Sequence, residues 1–536
     1  LRPRCGAPRS CPPGLLALMA PGLALMATFS LPSQAGDRRA LPVEKPPGVK
    51  GRTLILLDVN TKSPVRIISE NFLSLQLDPS IIHDGWLDFL SSRRLVTLAR
   101  GLAPAFLRFA GKRTDFLQFH NVKNPAKSRG GPGPDYYLKN YEDDIVRSDI
   151  ALDKQKGCKI AQHPDIMLEL QREKAAQMHL VLLKEQFSNT YSNLTLTARS
   201  LDKLYNFADC SGLHLIFALN ALRRNPNNSW NSSNALSLLK YSASKKYNIS
   251  WELGNEPNNY RTLIGRSVNG SQLGKDYIQL RSLLQLIRTY SRANLYGPNI
   301  GRPRKNVITL LEGLMPFVAG RLALWLPDVQ QLPGHTGGLG TWSSVLWLNT
   351  LGLLASQGID VVVRHSFLDH GHNHLVDQNF NPLPDYWLSL LYKRLIGPKV
   401  LAIHVAGLQR KPRPGRVIRD KLRIYAHCTS YHNHNYVRGS ITLYIINLHR
   451  SRKKIKLAGT LRDKIVHQYL LQPYGKDGLH SKLVQLNGQP LAMVDDGTLP
   501  ELKPRPLRAG RTLVIPPLTM SFYVVKNVNA LACRYR

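Results

Sequence analysis

Acidic residues are scarce in this chain of 536 residues. Asp and Glu number 35 against 72 Lys and Arg, a formal net charge of +37. Such an excess attracts polyanions: nucleic acid, anionic membrane or an acidic polysaccharide. Long apolar runs are also missing. None reaches the ~18 residues of a membrane span, which argues against an integral membrane protein. Gly (39) and Pro (35) follow no G-X-Y period, which excludes collagen. Cysteine is sparse, six residues in all, so any disulfides are clips on a core rather than its framework. What is plentiful is apolar material. Hydrophobic residues make up 43% and charged residues 20%, which excludes wholesale disorder. The length implies two or three domains, since a (β/α)8 barrel alone runs beyond ~250 residues.

The first 35 residues read as a secretory signal. Arg4 and Arg9 precede an apolar stretch from Leu15 to Phe29, and Ser33-Gln34-Ala35 offers small residues before Gly36. N-glycosylation acceptors begin at Asn193, Asn227, Asn231, Asn248 and Asn269, five within 77 residues. Cys5 and Cys11 leave with the signal. Cys158, Cys210, Cys428 and Cys533 remain, an even number with three possible pairings in an oxidising compartment. A secreted chain of this charge points to sulfated glycosaminoglycan rather than nucleic acid as its polyanion.

Residues 36–69 read as a polar, Pro-rich tether followed by short strands at Leu54–Leu57 and Val65–Ile68 that join a β-sandwich. From about residue 70 to 395 strands alternate with helices. The strands are Phe72–Leu77, Ala105–Phe109, Leu213–Leu219, Ile249–Gly254, Ala293–Tyr296 and Gly358–Arg364. That alternation predicts a parallel β/α barrel. An insertion at about 120–190 interrupts it with a turn-rich loop, Pro125–Pro134, and a charged helix over Asp165–Phe187. From 396 to 536 helices give way to short β-type runs at Leu422–Ala426, Ile441–Ile446, Leu513–Ile515 and Met520–Val525, the pattern of an all-β sandwich.

The sharpest local motif is Trp251-Glu252-Leu253-Gly254-Asn255-Glu256-Pro257-Asn258. A buried strand runs straight into Asn-Glu-Pro, and barrels hold their sites at the C-terminal ends of strands. A Glu there suits the acid/base of a retaining glycosidase, with Asn255 beside it. This motif resembles the acid/base motif of the heparanase family of retaining (β/α)8 glycosidases. RLVTLARGLAPAFLRFAGKRTDF from Arg94, NFADCSGLHLIFALNAL from Asn206, LYGPNIGRPRK from Leu295 and HLVDQNFNPLPDYWLSLLYKRL from His374 carry the same resemblance over nearly all of 54–536. The PAKSRGGPGPDYY loop and the RKPRPGRVIRD insertion from Arg410 are similar to a branch of that family regarded as unable to cleave heparan sulfate. The resemblance implies Glu256 as acid/base, Asp78 as a sugar contact, and Arg302, Arg304 and Lys305 as a heparin-contacting segment. It also implies the pairings Cys158–Cys210 and Cys428–Cys533. Relatives have Gly where this chain has Ala110.

A second carboxylate ~5–5.5 Å from the first must act as nucleophile in retaining hydrolysis. The family keeps it on a later barrel strand. Here the fifth strand ends near Pro298 and the eighth begins near Gly358, and two helices, Val307–Leu314 and Ser343–Gln357, fill much of the gap. The remainder is Pro- and Gly-punctuated and too short for two strands and a helix. Its only acids are Glu312 and Asp328. We therefore expect strands six and seven, and the nucleophile, to be missing, with Glu256 vestigial.

From Arg410 to Lys456 there are 13 Lys or Arg and one acid, Asp420. Arg410, Lys411, Arg413, Arg416, Arg419, Lys421 and Arg423 are expected in a loop entering a strand, and Arg450, Arg452, Lys453, Lys454 and Lys456 in a turn. Guanidinium forks suit sulfate and carboxylate, and the two clusters are expected to form one patch at a sandwich end. His432 and His434 are placed in the same surface. His370, His372 and His374 alternate as zinc ligands on a strand would, but nothing supports them, and no metal or cofactor is assigned. Two functions follow. One is a secreted, matrix and cell-surface protein that binds heparan sulfate without cutting it, associates peripherally with proteoglycans, and shields chains from an active heparanase. The other is a retaining endo-β-glucuronidase. No recognition motif supports nucleic acid.

Overall fold

The computed structural model describes residues 54–83, 86–121, 150–153, 158–161, 188, 191–300, 305–314, 341–368, 374–406 and 421–535. The signal segment, the Pro125–Pro134 loop and the helix expected over Asp165–Phe187 lie outside the described residues.

The first strand, β1 (Leu54–Val59), alternates half-buried and buried residues and belongs to the sandwich. Six parallel strands follow: β2 (Leu73–Leu77), β3 (Ala105–Phe109), β4 (Leu213–Leu219), β5 (Ile249–Leu253), β6 (Leu295–Tyr296) and β7 (Val362–Arg364). Their order in the sheet is β6-β5-β4-β3-β2-β7. This is the order of a (β/α)8 barrel in which β7 takes the eighth place, closing on the first strand. Among the described residues no strand stands between β6 and β7, as the shortened gap in the sequence implies. The helices that cover the sheet include α1 (Arg93–Gly101), α2 (Ala198–Cys210), α3 (Ser233–Ser244), α4 (Gly270–Leu286), α5 (Lys305–Leu314), α6 (Thr341–Gln357) and α7 (Pro384–Leu395). β5, Ile-Ser-Trp-Glu-Leu, is buried throughout because both its faces are covered. Trp251 packs edge-on against Tyr290 under the helices, while Glu252 points to the other face.

α7 carries Tyr386, Trp387, Leu388, Leu390, Leu391 and Tyr392 into the core and runs directly into β8 (Ile396–Leu401). Then come β9 (Ile403–Ala406), β10 (Leu422–Thr429), β11 (Ile441–Asn447), β12 (Lys453–Leu457), β13 (Val466–Pro473), β14 (Leu513–Ile515) and β15 (Thr519–Val525). They form two sheets. The smaller has the order β9-β1-β12-β14, and the larger contains β8-β10-β11-β15-β13 with short strands at its margins. A second core of Ile55, Leu57, Leu443, Ile445, Ile455, Leu513, Tyr523 and their neighbours fills the space between them. The other face of the larger sheet, with Tyr444, Met520 and Phe522, joins the barrel core. The disulfide Cys428–Cys533 pins the chain end to β10, and Cys158–Cys210 ties the insertion to α2, the pairings that the resemblance implies. No described helix is long and apolar enough to cross a membrane.

One expectation fails here. Lys453, Lys454 and Lys456 are not in a turn but on β12, where Ile455 and Leu457 face the core and Lys454 and Lys456 face outward. Lys-Ile-Lys-Leu has the period of two of a half-buried strand, which the density of charge concealed.

The barrel meets the sandwich where Gly352 of α6 lies under the Tyr425 ring. A Cβ on Gly352 would stand 2.5 Å from that ring, which is stacked on Tyr444 and bonded through its hydroxyl to Asn349. Gly to Ala within a helix is ordinarily worth ~1 kcal/mol in favour of Ala. Overpacking costs ~1–3 kcal/mol. Gly352→Ala is therefore expected to lower the melting temperature, as read by thermal denaturation. A rise would show that the two layers have slack.

Candidate functional site

The inner face of the sheet carries charge. Arg108 of β3 donates from Nε and Nη2 to the two oxygens of Glu252 on β5, at 2.8 and 2.7 Å. Its Nη1 donates to Gln76 of β2 at 2.8 Å, and Nη2 also reaches Oδ1 of Asn255 at 3.2 Å. Asn299, just past β6, donates to the same Oδ1 at 2.7 Å. The Asn255 side chain is thus held by two others, Arg108 of β3 and Asn299 past β6. Its backbone N–H donates to Asp115 at 2.9 Å, and the other Asp115 oxygen accepts from the N–H of Ala221 at 2.8 Å. One buried carboxylate therefore ties the loop after β4 to the loop after β5. Desolvation pushes the Asp115 carboxyl up to about 6, against the pull of those two backbone donors and of nearby Tyr260 and Arg224.

Glu256 follows in the left-handed region, φ +50° and ψ +58°. Few non-glycine residues adopt it, and such strain collects at sites. Asn259 Nδ2 donates to its Oε2 at 2.8 Å. Gly254, at φ +72°, has no room for a side chain, since a Cβ would meet the Tyr260 hydroxyl and Ala221. Asp78, past β2, is buried. It accepts from Ser80 N–H at 2.8 Å, with Arg113 at 3.9 Å, and its carboxylate fills the space beside Gly111. Ala110 is buried at the end of β3. Asp78, Asn255 and Glu256 thus all stand at C-terminal strand ends of the barrel, where a glycosidase cleft belongs. Among the described residues, no carboxylate ends a strand between β6 and β7. Glu312 lies exposed on α5, and Asp328 is outside the described residues.

The cationic residues are only partly brought together. Arg302, Arg304, Arg410, Lys411, Arg413, Arg416 and Arg419, like His370 and His372, lie outside the described residues, as does the side chain of Lys305. Lys421 heads β10, and its carbonyl accepts from Leu448 N–H at 2.7 Å. That bond sets Lys421 against the turn bearing Arg450 and Arg452. Arg423 is different. It shares a face of β10 with Tyr425, which packs on α6, so it looks toward the barrel and away from Lys454 and Lys456. His432 and His434 do not belong to this surface. They sit in the loop joining β10 to β11 at the opposite end of those strands, with His432 at 3.5 Å from Glu70. An antiparallel hairpin puts residues 421 and 448 at one end and 430–440 at the other, so proximity in sequence misled. His374 is buried, and among the described residues no cluster is arranged to hold a metal ion.

The acceptor asparagines are compatible with glycans. Asn227 and Asn231 use Oδ1 to accept from the N–H and hydroxyl of Ser229 and Ser233, and Asn269 uses Oδ1 to cap α4 through Gln272 N–H at 2.8 Å. Asn193 and Asn248 are exposed. Arg108 and Asp115 were legible only as oddities: an Arg inside an apolar strand, and an acid in the loop after β3.

A model of the glycosyl hydrolase family 79 N-terminal domain matches residues 162–301. The chain is 77% identical to Inactive heparanase-2 of Homo sapiens, covering 98% of each chain. It is 41% identical to Heparanase of Mus musculus, covering 89% of this chain and 94% of that one. The human alignment spans 577 positions, whereas 98% of 536 residues is about 525, so about fifty positions of the relative have no counterpart here. Among solved structures, a 4-O-α-L-rhamnosyl-β-D-glucuronidase of Fusarium oxysporum superposes with a TM-score of 0.51 at 10% identity, covering 88% of this chain and all of that one. That likeness speaks for the fold.

Asp115 generates a pH prediction. Its carboxyl sits near 6 when folded and near 3.8 otherwise, so between these values the folded chain binds the extra proton. Stability from this group then grows as pH falls from about 7 to 4 and is absent above 7. Asp115→Asn cannot titrate. The melting temperature of the parent relative to this variant is expected to rise on going from pH 7 to pH 5, by the equivalent of roughly 1–3 kcal/mol in total. A difference that stays flat would place the carboxyl in water.

Proposed function

The chain belongs to the heparanase family, and we propose that it is a secreted member that holds heparan sulfate without cutting it. The observation that carries this reading is the pairing of an incomplete catalytic face with a built cationic one. Glu256 keeps its strand end, its neighbour Asn255 and its left-handed backbone. Retaining hydrolysis also needs a carboxylate ~5–5.5 Å away to take the glycosyl group, and among the described residues no strand stands between β6 and β7 to bear one. A protonated Glu256 alone cannot form or resolve a glycosyl-enzyme bond. The name of the human relative, inactive, agrees with this chemistry. The enzyme reading, a retaining endo-β-glucuronidase, has an acid/base but no partner among the described residues.

Binding rests on the other surface. Arg450, Arg452 and Lys454 are exposed, and Lys453 and Lys456 are half-buried, with stems over apolar neighbours. Arg offers paired donors to sulfate and carboxylate groups. A secreted protein with this surface would sit on proteoglycans of the matrix and cell surface and shield their chains from an active heparanase. The signal, the glycan acceptors and the disulfides support an extracellular setting.

The test is heparin chromatography beside a cleavage assay. Replacing Arg450, Arg452, Lys453, Lys454 and Lys456 with Ala is expected to lower the eluting salt and flatten the salt dependence. On nucleic acids each neutralised charge contributes ~0.7–0.9 to that slope, a scale we carry to sulfates. Glu256→Gln is expected to leave elution unchanged, and neither protein should shorten heparan sulfate. Equal elution of parent and five-fold variant would reduce the charges to a solvated face. Chain shortening abolished by Glu256→Gln would restore the enzyme.

A further inference from the structure

The cationic face on β12 does not end where the sequence cluster ends. Strand β12 lies between β1, in parallel, and β14, antiparallel, with Lys454 opposite Leu54 and Val514, and Lys456 opposite Leu56. Paired residues share a face, so Lys454 and Lys456 stand on the outside of the smaller sheet, flanked by Leu54, Leu56 and the exposed Val514. Two residues of a strand place these lysines about 6.6 Å apart in a row. At the N-terminal end of the row come Arg452 and Arg450. At the C-terminal end the chain returns from some fifty residues away. The Lys456 ammonium donates to the carbonyl of Gly510, in the turn closed by Arg511 N–H on the Arg508 carbonyl. Arg508 and Arg511 are both exposed there.

Two acids border this row. Asp58 is half-buried on β1 beside Gly459, opposite His404, and Asp463 lies close to Gly510 with Arg462 at 3.6 Å. Both stand past Lys456, so the stretch from Arg450 to Lys456 has one sign of charge, with apolar residues on either side. A globular acidic partner would need a matching two-dimensional patch. A row one strand wide, with cations at both ends and along its length, fits a thin chain bearing an anion at each repeat.

We propose that Arg508 and Arg511 complete a single cationic track with Arg450, Arg452, Lys454 and Lys456, and that a linear sulfated polysaccharide lies on it parallel to β12. This deepens the heparan sulfate reading and rests on it. The track is the length of the strand, roughly 15 Å, plus a turn at each end. Short oligosaccharides can therefore touch only one end of it, and affinity rises with length until both ends are engaged.

The experiment uses the full chain and size-defined heparin oligosaccharides, with affinity read over a range of salt. Arg508→Ala/Arg511→Ala is compared with Lys454→Ala/Lys456→Ala and with a control of equal charge loss, Lys476→Ala/Lys482→Ala, in exposed positions elsewhere on the sandwich. Melting temperatures confirm that each folds. Removing Arg508 and Arg511 is expected to lower the salt slope by about 1.5 and to abolish the gain in affinity between short and long oligosaccharides. The control pair is expected to keep that gain. If the parent binds heparin and the Arg508/Arg511 pair behaves like the control, the track is wrong while the function stands. If the parent does not bind heparin, the reading beneath it fails as well. Duplex DNA competing as well as heparin would overturn the assignment to a sulfated polysaccharide, and a parent dimer broken by Lys454→Ala/Lys456→Ala would put a second copy on this face instead.

Discussion

Arg108 and Glu252 meet inside the barrel through two hydrogen bonds, with side chains only 3% and 0% exposed. Removing both charges from water costs several kcal/mol each, and the pair holds only because its remaining donors and acceptors are also satisfied. Gln76 and Asn255 supply that satisfaction. The pair spans from β3 to β5 across β4, so it sets the relation of three strands at once. It also reaches Asn255, the residue before Glu256. The strained turn at Glu256 is therefore held from below by an interaction confined to β2, β3, β5 and the loop after β5. This explains how the mouth of a glycosidase persists although, among the described residues, no strand stands between β6 and β7.

The sandwich contributes in a different way. β1 enters it before the barrel begins, and α7 runs into β8 without a linker. The larger sheet gives one face to the smaller sheet and the other to the barrel helices, so the cores are contiguous through it. The smaller sheet is left with an outer face that packs on nothing described. In a chain whose bases outnumber its acids two to one, that free face is where cations accumulate at least cost, since each lysine stem covers apolar neighbours while its ammonium stays in water.

Much of this was readable in advance, for physical reasons. Buried strands such as Leu213–Leu219 announce themselves as unbroken apolar runs, and that strand's bounds agree with the structure, whereas the strands read from Ala293 and Gly358 begin only at Leu295 and Val362. The gap after Pro298 was legible because two strands and a helix need a minimum length of chain. β12 was hidden because three of its five residues are charged, with Arg450 and Arg452 just before it, and charge reads as loop, although Lys-Ile-Lys-Leu keeps strict alternation. The separation of His432 from the lysines depended on hairpin pairing, which sequence distance does not convey. Asp115, Arg108 and the Arg508–Arg511 turn owe their importance to contacts across 50 to 150 residues, which no local pattern encodes.

The central claim is that binding and the vestigial cleft are separate surfaces. Hydrogen–deuterium exchange of the full chain, with and without a long heparin oligosaccharide, tests it most directly. The account predicts slowed exchange over residues 448–457 and 508–514 and no change over 252–260. Protection confined to 252–260, with the β12 face unaffected, would contradict it.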